Sequence, residues 1–208
     1  MDLAAQTEVL AKLDSLTKQG QRLLVLKELS RLIKSGLTSS IRPQLARIAN
    51  RNHSYVLALR ILHPLIREDR EKMAEAGSEA LNIYATSLMW IGALEESQEC
   101  LRRIKGSTDA LLTEAFVYFA QWDYIKSIPP LLKYINSSQT SPYQKLVGRI
   151  NLLAAYIAFG DLKLAKDVFE PLIQELQSNP NYKLLHGNCL ELRAQIAILD
   201  TDYKSALN

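Results

Sequence analysis

The sequence predicts an all-α protein, and three observations support this prediction. Glycine and proline, on which turn-rich β folds depend, number only 8 and 7 among 208 residues. Leu, Ala, Ile, Lys, Glu and Gln, which favour helices, dominate the composition. Apolar residues recur every three or four positions, and no segment alternates apolar and polar residues for long enough to predict a strand. This spacing predicts about twelve helices, most of about 12–18 residues.

The first two predicted helices form an N-terminal hairpin within residues 1–38. One apolar stripe ends at Leu16 and the next at Ile33. Gly20 and Gly36 follow these stripes, where glycine commonly ends a helix. We expect this hairpin to pack on the helices that follow it.

Later helix starts are marked by residues that cap a helix or occupy its first turn. The candidates are Ser39 or Ser40 with Pro43, then Ser54, then Ser141 with Pro142, and finally Asn181. Short connections between successive helices predict antiparallel pairs.

Two short patterns repeat along the chain, which indicates stacked helix pairs. Segments 58–66 and 165–173 share a small residue, a large apolar residue four positions later, and then Pro-Leu-Ile. The second pattern is a turn, a large apolar residue and, three positions later, a small residue; it occurs at 92–97, 122–127, 160–165 and 201–206. The small residues, which let two helices approach closely, are Ala58, Ser97, Ser127, Ala165 and Ala206.

These patterns resemble the tetratricopeptide repeat (TPR). The resemblance implies a right-handed superhelix, or solenoid, of antiparallel helical hairpins over residues 39–208. About five repeats are assigned, at 39–69, 78–105, 108–136, 146–178 and 187–208. The positions for a small residue in the first helices are Ala46, Ala85, Ala115, Leu153 and Ala194. The last repeat is truncated, so we expect this chain to be the N-terminal part of a longer protein.

Proline lies inside several predicted second helices. Pro64 and Pro171 fall at the same offset in their repeats, while Pro129 and Pro130 are adjacent. A proline inside a helix removes one donor and clashes with the preceding turn, at a cost of about 3 kcal/mol unless the helix bends. The shared offset favours a bent helix over a helix that ends at the proline.

The sequence shows no recognisable catalytic or metal site. His53 and His63 have neither a cysteine nor a carboxylate at the spacing of metal ligands. No glycine-rich phosphate loop or hydrolase motif is present. Cys100 and Cys189 lie on apolar helix faces and are interpreted as buried, reduced thiols. We therefore expect no enzyme activity, no metal and no cofactor.

The TPR resemblance also implies a concave groove, lined by first helices, that binds an extended peptide. Large apolar side chains at 89, 90, 116 and 119 would supply peptide anchors there. The alternative is that Trp90 and Phe119 belong to the core between helices. The matched groove residues are Arg47, Asn50, Arg51, Asn82, Thr86, Met89, Trp90, Phe116 and Phe119.

A second candidate surface is a basic patch in the first third of the chain. The whole chain has a net charge of +3, yet residues 1–70 carry twelve Lys or Arg against six Asp or Glu. Such a patch can bind phosphate or carboxylate groups, or it can simply be a solvated face. It consists of Arg42, Arg47, Arg51, Arg60 and Arg67.

We therefore predict a non-catalytic scaffold that binds a protein or peptide through the concave face of a TPR-like array. The alternative is a sensor or regulatory segment of a longer signalling or transcription protein, whose basic N-terminal face contacts nucleic acid or an acidic partner. No apolar stretch approaches the roughly 20 residues that cross a membrane. Reduced cysteines favour a cytoplasmic location, and an uncapped C-terminal end would permit oligomers.

Overall fold

The computed structural model describes residues 3–66, 77–104 and 107–201. These residues form eleven α-helices and two short 3-10 helices, and they contain no strand. The predicted all-α class is therefore confirmed. The chain divides into two compact units, Met1–Gly106 (unit 1) and Ser107–Asn208 (unit 2). The superhelical course predicted for residues 39–208 stays a prediction.

The described residues of unit 1 form three successive helix pairs. The helices are α1 (Leu3–Lys18), α2 (Arg22–Lys34), α3 (Arg42–Arg51), α4 (Tyr55–Ile66), α5 (Ser78–Trp90) and α6 (Leu94–Arg102). Within each pair the two helices pack on each other: α1 on α2, α3 on α4, and α5 on α6. Between pairs, α1 and α2 both contact α3, and α3 and α4 both contact α5. The core is aliphatic and includes Leu13, Leu29, Leu45 and Leu62, none of which is exposed.

The described residues of unit 2 form five helices that pack in sequence. They are α7 (Thr108–Ala120), α8 (Tyr124–Asn136), α9 (Pro142–Phe159), α10 (Leu162–Gln177) and α11 (Lys183–Leu199). Each helix contacts the next, and α11 also contacts α9. Leu146, Leu153 and Leu172 lie in one continuous hydrophobic core.

The predicted helix starts have different outcomes. At α9 the prediction is confirmed, because Ser141 and Gln144 form a capping box in which each side chain accepts a backbone N–H of the other. At α3 the predicted serine cap is wrong: a 3-10 helix, Ser39–Ile41, precedes α3, and no side chain caps it. Likewise, α11 begins two residues after Asn181, behind a second 3-10 helix.

The two helices of each pair are joined by the same kind of turn. In the α7–α8 turn, the Asp123 N–H donates to the Tyr118 carbonyl at 2.9 Å and the Trp122 N–H donates to the Phe119 carbonyl at 3.0 Å. This arrangement is a Schellman motif, whose central residue has a left-handed backbone. In the turns that join the two described helices of a pair, the left-handed residues are Gly20, His53, Gly92, Trp122 and Gly160. Thr201, which follows α11, also has a positive φ, and φ lies between 54° and 89° across the six. Among these, the final four in chain order are Gly92, Trp122, Gly160 and Thr201. The repeated sequence pattern identified the last four, and only the turn at His53 was not recognised.

Trp122 allows a direct test of this turn. Its φ of 61° is unfavourable for a residue with a Cβ, and its indole is 79% exposed. Trp122→Gly is expected to raise the free energy of unfolding by about 0.5–1 kcal/mol. Gly160→Ala, at the equivalent position with φ of 89°, should lower it by a similar amount. Urea denaturation of both variants measures these changes, and a loss of stability with Trp122→Gly would contradict the account of the turn.

The small residues of the repeated patterns lie where paired helices approach. Ala58, Ser97, Ser127 and Ala165 all have 0% exposure. The Ser97 hydroxyl donates to the carbonyl oxygen of Ala85 on the facing helix at 2.7 Å. Such a bond requires the close approach that the small residue was predicted to permit. Ala206 lies outside the described residues.

Prolines lie within helices that continue past them. Pro64 is inside α4, Pro129 and Pro130 are inside α8, and Pro171 is inside α10. The alternative, in which helices end at Pro64 and Pro171, is therefore wrong. In the described part of the chain, no helix is both long and apolar enough to cross a membrane.

Candidate partner-binding surface

Two first helices of unit 1 carry most of the residues predicted for a groove. Arg47, Asn50 and Arg51 lie on α3, whereas Asn82, Thr86, Met89 and Trp90 lie on α5. The Asn50 amide joins the two helices: its Oδ1 accepts a bond from Ser87 Oγ at 3.0 Å, and its Nδ2 donates to the Ile83 carbonyl at 3.4 Å. We call the surface formed by Arg47, Asn50, Asn82, Thr86 and Trp90 the α3–α5 face.

Trp90 is the large exposed apolar group of the α3–α5 face. Its side chain is 60% exposed and stacks on Tyr55, with ring centroids 5.4 Å apart and planes inclined by 7°. Tyr55 is itself oriented by His53, whose Nδ1 lies 3.1 Å from the Tyr55 hydroxyl. One side of the indole is therefore supported while much of it remains in water. An exposed, supported indole is well suited to anchor an apolar group of a partner.

Met89 differs from its neighbour Trp90. Its side chain is only 8% exposed, so it lies in the core of unit 1 and is not available to a partner. Adjacent residues on a helix point about 100° apart, which is why the core takes Met89 and leaves Trp90 at the surface.

Asn82 presents a hydrogen-bond acceptor that is not used. Its Oδ1 is buried and accepts no hydrogen bond within the described structure. A buried acceptor in this state costs about 1–3 kcal/mol. The nearby Thr86 hydroxyl does not relieve it, because that hydroxyl donates to the backbone carbonyl of Asn82 at 2.8 Å. Because this atom is closed to solvent, a donor from a partner reaches it only when the Asn82 side chain turns outward.

Two arginines of the predicted basic patch are paired with carboxylates. Arg47 Nη2 lies 2.7 Å from Glu79 Oε1, and Arg51 Nη1 lies 2.6 Å from Asp14 Oδ1. Hydrogen bonds from Lys18 and then from Arg51 lower the pKa of Asp14, so this carboxylate stays ionised well into acid. The positive charge of both arginines is thus partly neutralised.

The other patch residues do not extend it. Arg42 is partly buried, where its guanidinium donates to the carbonyl of Ile61 at 2.7 Å and to that of Leu37 at 3.2 Å. Arg60 is exposed on α4, and Arg67 lies outside the described residues. Of the four described arginines of the patch, three are therefore engaged by carboxylates or backbone carbonyls, and the patch as a whole stays a prediction.

Unit 2 has a separate aromatic cluster near the α7–α8 turn. Phe116 and Phe119 are half-buried, with ring centroids 6.5 Å apart. Phe119 and Trp122 each make an edge contact with Tyr124, at 5.3 and 6.3 Å. Phe119 also packs on the unit 2 core, as the alternative interpretation of this residue holds.

Three aromatic residues near these surfaces were not predicted as site residues: Tyr55, Trp122 and Tyr124. Each lies within two residues of a left-handed turn residue or at that position itself. The repeated turn pattern contained Trp122 and Tyr124, and it was the available signal for them. Tyr55 had the same signal, because Tyr55 and Ala58 follow His53 at the offsets of the repeated pattern, but the pattern was not recognised there.

The cysteines are buried, as predicted. Neither Cys100 nor Cys189 forms a disulfide, and burial raises the pKa of Cys189 to about 11. A thiol that stays protonated at neutral pH is a poor nucleophile. Among residues 3–66, 77–104 and 107–201, no group of three or more His, Cys, Asp or Glu is placed to hold a metal ion.

The Cys189 pKa predicts how stability changes in alkali. The unfolded thiol ionises near its ordinary pKa of 9.0, whereas the folded thiol ionises at about 11. Between these values the folded state binds more protons, so the free energy of unfolding should fall as pH rises. Urea denaturation at about pH 8 and about pH 10.5 should show that the free energy of unfolding falls less between these two pH values for Cys189→Ala than for wild type. Equal falls in the free energy of unfolding for the two proteins would contradict the raised pKa of Cys189. The pKa values of Tyr134 and Tyr156 are also raised by burial, but both tyrosines are present in both proteins, so their contribution cancels in the comparison.

No protein-family model matches this sequence, and no curated protein does. Among solved structures, the chain is similar to the C-terminal part of a TPR repeat-containing protein from Cytophaga hutchinsonii. The two are 18% identical, the match covers 95% of this chain and 91% of that chain, and the TM-score is 0.35. A TM-score this low supports no inference about sites. The description of the chain as TPR-like therefore rests on its own helix pairs, small residues and turns.

Proposed function

We propose that this chain is a non-catalytic scaffold whose α3–α5 face binds a peptide or protein partner. The observation that carries the proposal is the exposed Trp90, which is stacked on Tyr55 and shares α5 with Asn82, whose Oδ1 has no hydrogen-bond partner in the described structure. The two residues are two helical turns apart. An extended peptide can place an apolar side chain on the indole, and a backbone N–H can donate to Asn82 once that side chain turns outward from its buried position.

The helix pairs support this function physically. Close approach at the small residues and the Schellman turns fix each pair, so a partner meets a surface that is already ordered. A preformed surface loses little conformational entropy on binding. Phe116 and Phe119 of unit 2 stay in the proposal as a second apolar contact, to be tested separately.

The alternative of a basic face for nucleic acid is less well supported. Arg47 and Arg51 already pair with Glu79 and Asp14. Phosphate binding would have to displace or share those carboxylates, whereas Trp90 and Asn82 are free of such competition. A cytoplasmic location and assembly through the C-terminal end remain predictions from the sequence.

The proposal is tested by comparing the two tryptophans of the chain. Immobilised wild type, Trp90→Ala, Asn82→Leu and Trp122→Ala are used to capture proteins from a lysate, which are quantified by mass spectrometry. Proteins that bind the α3–α5 face should fall about tenfold or more with Trp90→Ala and with Asn82→Leu. Capture should be unchanged by Trp122→Ala, which removes an even more exposed indole from unit 2. Circular dichroism confirms that each variant is folded.

Two results would overturn the proposal. The first is that no captured protein depends on Trp90 or Asn82. The second is that capture is lost with Arg47→Gln/Arg51→Gln alone and weakens steeply between about 50 and 200 mM salt, as phosphate-driven binding does. That result would transfer the function to the basic residues.

A further inference from the structure

A groove of about 550 Å³ lies between α1 and α2, on helices that take no part in the α3–α5 face. Leu16 on α1 and Leu24 on α2 contribute its apolar floor. Leu24 is 52% exposed, although Leu29 and Leu32 of the same helix are buried. The groove thus leaves apolar surface in water that no described part of the chain covers.

The rim of this groove is strongly cationic. Lys12, Lys27, Arg31 and Lys34 line it, and Glu28 is the only acidic residue among its lining residues. The Glu28 carboxylate is already shared by two of these cations, at 2.8 Å from Arg31 Nη2 and 3.6 Å from Lys12 Nζ. The local charge therefore remains positive, and an acidic partner is complementary to it.

Lys27 and Lys34 hold the uncompensated charge. Both are exposed, and neither forms an ion pair with another residue in the described ranges. They lie seven positions apart on α2, which is two helical turns or about 10 Å along the helix. Carboxylates at the same spacing on an approaching helix would meet both ammonium groups. The 13 residues of α2 give a contact about 20 Å long.

We propose that this groove binds an acidic amphipathic helix of a partner protein. The apolar side of that helix lies on Leu16 and Leu24, and its carboxylates face Lys27 and Lys34. A helix laid in an apolar groove with charged rims is a common mode of peptide recognition. Single-stranded nucleic acid fits less well, because the groove lining contains no aromatic ring on which a base can stack.

Fluorescence anisotropy with a labelled synthetic peptide tests this site. The probe is a helix-forming peptide of about 14 residues, with leucine along one side and glutamate elsewhere. We expect it to bind, and we expect a peptide with lysine in place of glutamate not to bind. A scrambled peptide of equal composition should bind about fivefold more weakly or worse, because its leucines no longer share one side.

Variants assign the binding to the groove. Lys27→Glu/Lys34→Glu should weaken binding of the glutamate peptide by about tenfold or more, since two attractions become repulsions. Leu24→Ser should weaken it about threefold or more. The matched control Lys133→Glu/Lys163→Glu reverses two exposed lysines of unit 2 and should leave binding unchanged. Trp90→Ala should also leave it unchanged, so failure here is separate from failure at the α3–α5 face.

Three results would overturn the proposal. They are absence of peptide binding at about 1 mM, equal binding of the scrambled peptide, and binding insensitive to Lys27→Glu/Lys34→Glu. Tighter binding of an oligodeoxythymidine of about 14 nucleotides, lost with the same lysine variant, would assign the groove to nucleic acid instead.

Discussion

Leu153→Ala is expected to lower the free energy of unfolding by about 2–5 kcal/mol. Leu153 lies on α9 with 0% exposure, within the core of unit 2. The TPR resemblance assigns a small residue to this position, so the repeat pattern alone would favour alanine here. The structure instead fills the position with leucine. Truncation would remove buried methyl groups and leave a cavity that fixed neighbouring helices cannot fully close.

A matched substitution separates burial from the loss of leucine itself. Leu184 lies on α11 with 75% exposure, and Leu184→Ala should change stability by less than about 0.5 kcal/mol. Both variants are measured by urea denaturation under the same conditions. If Leu153→Ala were neutral or stabilising, the packing of α9 in unit 2 would be wrong.

Gly148→Ala should lower the free energy of unfolding by about 1–3 kcal/mol, through overpacking. A Cβ at Gly148 would lie 2.8 Å from Cγ1 of Ile135 and 2.9 Å from Cδ1 of Tyr134, both on α8. Tyr134 is 1% exposed, and its ring cannot move aside without disturbing the core. Alanine favours a helix over glycine by about 1 kcal/mol. The clash should exceed this gain, since both neighbouring atoms belong to constrained side chains.

Gly187→Ala is the control for helix propensity. Gly187 lies inside α11, and a Cβ there would meet no atom within 4 Å. This variant should raise the free energy of unfolding by about 0.5–1 kcal/mol. The two glycine variants are thus expected to change thermal and urea stability in opposite directions. A gain in stability with Gly148→Ala would show that α8 and α9 do not approach as closely as described.

Local features of the fold were predictable from the sequence because the residues that determine them are neighbours in the chain. Gly92 and Gly160 end helices by adopting a left-handed backbone, and that preference belongs to glycine itself. Ser97 and Ser127 were recognised by their fixed distance from the turn. His53 adopts the same backbone conformation, and Tyr55 and Ala58 follow it at the offsets of the repeated pattern, so this turn was also predictable although it was not recognised.

The site was less predictable because its contacts join residues far apart in the sequence. Tyr55 stacks on Trp90, and Arg51 pairs with Asp14, although each pair is separated by more than thirty positions. The sequence marks these residues as aromatic or charged, but it does not show which partner each one meets. Pairing explains why the predicted basic patch is partly neutralised, and the stack explains why Trp90 is exposed yet ordered.

Site-specific photo-crosslinking tests most directly whether the α3–α5 face contacts a partner. A photoreactive p-benzoylphenylalanine is placed at position 90, and a second protein carries it at position 122. The account predicts that irradiation in lysate yields a discrete protein adduct from position 90, reduced by Asn82→Leu, and no such adduct from position 122. No adduct from position 90, or the same adducts from both positions, would contradict the proposed function.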